Sequence, residues 1–171
     1  RPLSPTQTLA HAFEPRITLG TARFTWLGSD LPLSAFTFIY KPSPHGLFVA
    51  HAYPFDTPSK VAPGSPVSTF IVECHQDTFH AAGLDRADEA QTIAFCEQLF
   101  ADELREHRLF ANRSMWRTFP EVTCARWSHE NVVLLGDAAH SAHFSIGSGT
   151  KLAMEDAIAL AAKLTEMKAD A

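Results

Sequence analysis

The chain of 171 residues carries 14 Lys and Arg against 19 Asp and Glu, a formal net charge of −5, so a nucleic-acid or anionic-membrane partner has no electrostatic footing. Its length suits one domain with a real core. Charged residues make up 19%, below the roughly 25% usual in soluble domains, which fits a face covered by more protein or by a ligand. Cys74, Cys96 and Cys124 form no CxxC pair and no disulfide framework, which favours a reducing compartment. No secretory leader is expected, and no apolar stretch reaches about 18 residues. A cytoplasmic chain with no membrane partner is the expectation.

Residues 1–20 hold three prolines and little periodicity, and read as a connecting segment. Four aromatic or β-branched runs follow: Arg23 to Gly28, Ala35 to Lys41, Gly46 to Phe55 and Val67 to Cys74. Each is bounded by Gly, Pro, Ser or Asp, the pattern of strands. Ser43-Pro44-His45-Gly46 marks a hairpin turn. These runs predict a mainly antiparallel sheet of about four strands, with Trp26, Phe36 and Phe38 in its core. Helical patterning then covers Thr78 to Ala82 and roughly Ala87 to Arg105, and Val122 to Trp127 reads as a further strand.

The stretch VVLLGDAAHSAHFSIGSGTK, Val132 to Lys151, predicts strand, loop and helix. Val132 to Leu135 is apolar and ended by Gly136, which suggests a buried parallel strand. From Thr150 to about Lys168 a helix should place Ala153, Ala157, Leu160, Leu164 and Met167 on one face. Amides at a helix start lack intrahelical partners and sit at the positive end of the dipole. Proteins usually answer with acids, but here Ser148, Gly149, Thr150 and Lys151 come first, and the nearest acids are Glu155 and Asp156. Such a start suits an electron-rich ligand; a helix capped by Ser148 or Thr150 and water is the alternative. Asp137 can accept hydrogen bonds from ligand hydroxyls or cap the Ala138-Ala139 turn. Asp137, His140 and His143 lack the arrangement of a zinc-protease helix, and Gly149-Thr150-Lys151 lacks the spacing of a phosphate loop.

The segment GDAAHSAHFSIGSGTKLAMEDAIALAAKL resembles the second flavin-binding motif of FAD-dependent aromatic hydroxylases, the p-hydroxybenzoate hydroxylase-type monooxygenases. Gly136-Asp137-Ala138-Ala139-His140, Gly147, Gly149 and Asp156-Ala157 keep its spacing. RFTWLG, AFTFIYK, HGLFVAHAY, STFIVEC and FSIGSGTKLAMEDAIAL are similar, more narrowly, to salicylyl-CoA 5-hydroxylases and 2-aminobenzoyl-CoA monooxygenases. The resemblance implies an α/β enzyme whose antiparallel substrate-domain sheet and following helices occupy 1–120. Residues 121–171 would then supply the terminal strand-loop-helix of a Rossmann-like FAD domain. It implies FAD as cofactor, NADH or NADPH as reductant, and hydroxylation of an aromatic ring, aryl-CoA thioesters included.

By the same resemblance Asp137 would hold the ribityl chain. Gly136, Gly147, Ser148, Gly149, Thr150 and Lys151 would form the loop and helix start facing the flavin. Two departures mark that loop: Phe144 where many members have proline, and Ile146-Gly147 where they have a double glycine. His51, Tyr53, His143 and Phe144 are the candidate substrate residues. No catalytic side chain is assigned, since the chain shows no Ser-His-Asp or Cys-His signature. Arg105, Arg108, Arg113 and Arg117 could meet a CoA phosphate or simply be solvated. No GxGxxG follows a strand, so the diphosphate half of FAD is expected on another portion of the same protein. An unpaired Val132 strand is expected to favour self-association.

Overall fold

The computed structural model describes residues 5–169. It divides into two compact units, Thr21–Phe119, and Arg1–Gly20 with Pro120–Ala171. Every strand ladder among the described residues is antiparallel.

The Thr21–Phe119 unit is built on a five-stranded sheet. Its strands are β2 (Ala22–Ser29), β3 (Thr37–Ser43), β4 (Gly46–Pro54), β5 (Ser68–His75) and β6 (Leu109–Phe110), in the order β3-β4-β5-β2-β6. The four expected strands are present, and the short β6 adds an edge. Helices α2 (Gln76–Ala81), α3 (Glu89–Leu99) and α4 (Ala101–Leu104) follow β5. The expected helix over 87–105 is thus interrupted. Asp88 caps α3 by accepting from the Gln91 amide at 2.8 Å, while the Gln91 side chain accepts from the Asp88 amide at 2.9 Å. That reciprocal pair fixes where the helix starts.

Side chains alternate across a strand, and here the alternation separates two surfaces. Leu27, Phe48, Ala50, Ala52, Phe70, Val72 and Cys74 face one way and are buried with Phe79, Leu84, Cys96, Phe100 and Leu104. This is the core. Phe70 meets Phe100 edge-on with centroids 5.4 Å apart. Burial pushes the thiols of Cys74 and Cys96 up to about 12, so they act as small apolar fillers. Trp26, Phe36 and Phe38 do not join this core, contrary to the expectation from their aromatic character. They are 49%, 54% and 46% exposed, because Trp26 and Phe38 fall on the alternate positions of β2 and β3, and Phe36 lies against Phe38 with centroids 5.0 Å apart.

The β3–β4 turn explains its glycine. Ser43 Oγ donates to the Gly46 carbonyl at 2.8 Å and accepts from the His45 amide at 3.1 Å. Gly46 has φ +130°, and a Cβ there would overlap the side chain of Thr78.

In the other unit, residues 5–20 are structured rather than a plain connection. They form α1 (Pro5–Ala12) and β1 (Pro15–Leu19), and β1 pairs with β7 (Pro120–Cys124). Periodicity missed β1 because every residue of it is exposed, with Ile17 and Leu19 both at 67%. Strands β8 (Ser128–His129) and β9 (Val132–Val133) form a minimal hairpin. The expected buried strand over 132–135 is therefore shorter and only half-buried, with Val133 45% exposed. An apolar run becomes a buried parallel strand only between neighbours, and β8 is its partner among the described residues. Helix α5 (Gly149–Ala169) closes the chain. It packs through Leu152, Ala153, Asp156 and Leu160, whereas Ala157, Leu164 and Met167 of its expected apolar face are exposed. No described helix is long and apolar enough to cross a membrane.

The β3–β4 turn yields a comparison. Gly46→Ala should cost roughly 1–3 kcal/mol, from positive φ and from crowding against Thr78. Gly64→Ala, also at positive φ (+75°) but with open space around it, should cost less. Chemical denaturation of both variants measures the difference.

Candidate functional site: the loop from Gly136 to Lys151

Beyond β9 the chain turns sharply at Gly136, whose φ is +54°. Residues Gly136–Ala138 make one 3-10 turn. Three amides here are met by nearby carbonyls: Ala138 donates to the Leu135 carbonyl at 3.3 Å, and Ala139 and His140 donate to the Gly136 carbonyl at 2.9 Å each. The turn therefore does not need the Asp137 carboxylate as a cap, and Asp137 is exposed.

The following residues are pinned beside β7. The Cys124 amide donates to the Ala139 carbonyl and the Ser141 amide to the Val122 carbonyl, both at 2.9 Å. Ser141 Oγ accepts from the Val122 amide at 2.8 Å. A second 3-10 turn covers Phe144–Ile146. His143 caps it, Nδ1 lying 2.7 Å from Ser145 Oγ and accepting from the Ser145 amide at 3.4 Å. Gly147 ends the turn at φ +67°.

A carboxylate inside α5 joins these parts. Asp156 Oδ2 accepts from the Gly136 amide at 2.9 Å and from His140 Nε2 at 2.8 Å. Its side chain is 15% exposed. The Gly136 amide, and after it His140, hold its carboxyl below the usual carboxylate range. The His140 ring in turn stacks on Trp127, centroids 4.8 Å apart and planes 12° apart. Gly136 lies so close to α5 that a Cβ on it would sit 2.9 Å from the Ala153 Cβ.

At the start of α5 the Ser148 carbonyl accepts from the Leu152 amide at 2.9 Å. The amides of Gly149, Thr150 and Lys151 thus stand in the first turn, which holds no acid. Lys151 does not reach forward: Nζ pairs with Glu155 Oε1 at 2.6 Å along the helix. Gly149 is informative because nothing local requires it. Its φ is not in the left-handed region, and a Cβ there would meet nothing within 4 Å. A glycine needed neither for backbone nor for packing leaves room over unpaired amides. That suits the close approach of an electron-rich group.

The four candidate substrate residues lie two in each unit. His143 and Phe144 stack at 4.5 Å within the loop. His51 and Tyr53 sit on the sheet face opposite the core. His51 is buried, with Nε2 3.0 Å from Glu73 Oε2 and its ring edge-on to Phe38 at 4.9 Å. Tyr53 stacks on Phe36 at 5.4 Å with planes 10° apart. Among the arginines, Arg108 Nε pairs with Glu97 at 2.8 Å, and Arg105, Arg113 and Arg117 are exposed. No group of three or more His, Cys, Asp or Glu among the described residues could hold a metal ion.

Sequence reasoning missed two residues. Asp156 was noticed only as motif spacing, yet it stands three residues after Ala153 and four before Leu160, an acid set in an apolar stripe. Glu73 passed as one more strand residue, although it interrupts the run FIVEC.

Comparison with known proteins gives three findings. A family described as FAD binding domain matches residues 20–170. The chain is 42% identical over 165 residues to salicyloyl-CoA 5-hydroxylase of a Streptomyces species, covering 92% of this chain and 30% of that protein. It is 44% identical over 138 residues to 3-hydroxy-4-methyl-anthranilyl-[aryl-carrier protein] 5-monooxygenase of Streptosporangium sibiricum, covering 81% and 33%. The chain thus spans about a third of the length of these relatives. Among solved structures, aklavinone-11 hydroxylase in complex with FAD and aklavinone aligns with a TM-score of 0.57 at 18% identity, over 93% of this chain and 29% of that one. At that identity the likeness establishes the fold.

The loop generates its own test. A carboxyl whose pKa is lowered by folding adds stability that is full above its unfolded value and is lost as pH falls through the lowered one. The loop should therefore stay ordered at pH 7 and loosen on acidification below the ordinary value of 3.8. Asp156→Asn should remove that acid-side dependence, read from amide exchange at Gly136 and His140. Gly136→Ala should destabilise the unit by about 1–3 kcal/mol through positive φ and contact with Ala153, whereas Gly149→Ala should change unfolding by no more than about 0.5 kcal/mol.

Proposed function

Because the chain belongs to the FAD-binding domain family, we propose that it is part of a cytoplasmic flavin-dependent monooxygenase that hydroxylates an aromatic ring. The observation carrying this reading is the loop itself. Gly149 leaves the first amides of α5 open, and Asp137 stands exposed on a turn that does not use its carboxylate.

In this reading Asp137 accepts hydrogen bonds from the ribityl hydroxyls of FAD. The amides of Gly149, Thr150 and Lys151 oppose the pyrimidine edge of the flavin, where the positive end of the helix stabilises negative charge. Gly136, Gly147 and Ser148 set the path of the loop between those two contacts. The chemistry supplied by the bound cofactor is redox, with electrons from NADH or NADPH and activation of O₂. Residues of this chain bind, orient and exclude water, and no side-chain nucleophile is required. Asp156 and His140 act beneath the loop by fixing the Gly136 turn.

The substrate is proposed as an aromatic acyl thioester on CoA or a carrier protein, with His51 and Tyr53 of the sheet as its candidate contacts. Support comes from the two relatives whose names specify such groups, one a salicyloyl and one an anthranilyl unit. Both acyl units carry a hydroxyl or amine on the ring. The diphosphate and adenosine of FAD are proposed to rest on a glycine-turn βαβ unit outside these residues.

Colour is the first test, since a flavoprotein is yellow. A protein extended to the length of the relatives should bind FAD tightly, and the 171 residues alone should bind it weakly and tend to self-associate. Asp137→Ala should weaken FAD by about 1–3 kcal/mol, the loss of a hydrogen bond to a charged group, with the fold intact. Gly149→Ala should weaken FAD without moving the unfolding midpoint. An aromatic thioester should accelerate flavin reduction more than the free acid does. A colourless extended protein would point instead to an interaction module that keeps the sheet without a cofactor.

A further inference from the structure

The sheet face opposite the core is aromatic, yet it carries a carboxylate. Trp26, Phe38 and Tyr40 stand on it at 49%, 46% and 64% exposure. Between them, on the central strand β5, lies Glu73. In the ladders it is registered against Phe24 on one side and Val49 on the other. It is the only acid among the described strand residues of this face, and its side chain is 18% exposed. His51, two residues beyond Val49 on β4 and so on the same face, is 5% exposed and lies 3.0 Å from Glu73 Oε2. A carboxylate only accepts, so His51 donates its Nε2–H.

Stability alone does not account for this pair. Desolvating a carboxylate and an imidazole costs several kcal/mol by general estimates, and well-packed apolar residues usually serve as well or better. All around it the face is Phe, Trp, Ile and Val, so an apolar pair would fit. What the pair adds is a directional acceptor set in a flat apolar surface. A carboxylate has about four acceptor positions, of which His51 uses one.

We infer that Glu73 selects the ligand of this face, favouring aromatic rings that carry a hydroxyl or amino donor and disfavouring rings that carry a free carboxylate, with His51 as its positioning residue. The chemistry follows from the setting. A ring stacked on Trp26 or Phe38 loses water from its substituents, and a donor then finds its acceptor in Glu73. A ring without a donor leaves the acceptor positions that His51 does not use desolvated and unmet. A free benzoate brings like charge against Glu73, whereas an amide, ester or thioester masks it. The inference deepens the substrate reading above and rests on it for the class of ring.

The test uses the full chain and four neutral probes: salicylamide, 2-aminobenzamide, benzamide and 2-methylbenzamide, with salicylate as the charged counterpart. Affinities are read by NMR titration, and quenching of Trp26 locates the ligand on this face. Salicylamide and 2-aminobenzamide should bind at least about tenfold more tightly than benzamide and 2-methylbenzamide. Salicylate should bind more weakly than salicylamide. Glu73→Gln should bring all five within about threefold of one another. His51→Gln should reduce the discrimination without removing it, and the His51 ring resonances should shift on binding of the two donor probes only. If Glu73→Gln does not fold, Glu73→Asp, which keeps the charge but withdraws it by one methylene, should also cut the ratio. Equal binding of the probes to the unaltered chain, no binding by any of them, or discrimination that survives both Glu73 variants overturns the inference. FAD and the same probes, titrated into the protein extended to the length of the relatives, separate the two readings. Ring selection without FAD binding removes the cofactor reading alone, and FAD binding without ring selection removes this one alone.

Discussion

One carboxylate organises the loop on which the cofactor reading depends. Asp156 Oδ2 takes a hydrogen bond from the Gly136 amide and another from His140 Nε2, so a point inside α5 grips the loop at two places. The Gly136 amide follows a strand end and lacks a partner in the turn it begins; without Asp156 it would be a buried donor left unmade, which is costly. His140 is held from its other side by the ring of Trp127. With those contacts made beneath the loop, Asp137 and the first amides of α5 remain on its outer side. The division of labour between neighbouring acids is physical: Asp156 is spent on structure, and Asp137 is left exposed.

The glycines of the loop illustrate how different constraints produce the same residue. Gly136 is required twice, by its left-handed backbone and by the Ala153 methyl against it. Gly147 is required by its backbone alone, as the end of the second 3-10 turn. Gly149 is required by neither. A residue that folding does not explain is where a ligand explanation gains force, because its small size then has to serve something outside the fold.

Much of this was legible in the sequence, and the limits have identifiable causes. Alternating aromatic and β-branched runs gave away β2 to β5, since a half-buried strand shows its period directly. The same signal could not say which side was covered. Trp26 and Phe38 read as core because large aromatic residues usually are, whereas the helices cover the opposite face. β1 was invisible, being exposed throughout and held by its ladder to β7. The Val132 run read as buried and parallel because its apolar character speaks for the sheet it belongs to, and only a two-residue hairpin forms among these residues. In the loop, spacing singled out Gly136, Asp137, Gly147 and Gly149. The resemblance to flavin hydroxylases also put Lys151 at the helix start facing the flavin, and its side chain bonds to Glu155 one turn on, an ordinary helix pairing that a four-residue spacing predicts.

The sheet and the loop share a design despite their different chemistry. Each sets one partly sheltered carboxylate beside a histidine, Asp156 with His140 and Glu73 with His51, at 2.8 and 3.0 Å. Their surroundings separate their roles. Asp156 also accepts a backbone amide, and these two contacts, made within the fold, hold its carboxyl below the usual range. Glu73 has no such backbone bond among the described residues and faces rings rather than amides. A carboxylate with acceptor capacity left over, on a surface of exposed aromatics, is stabilised best by something that arrives from outside.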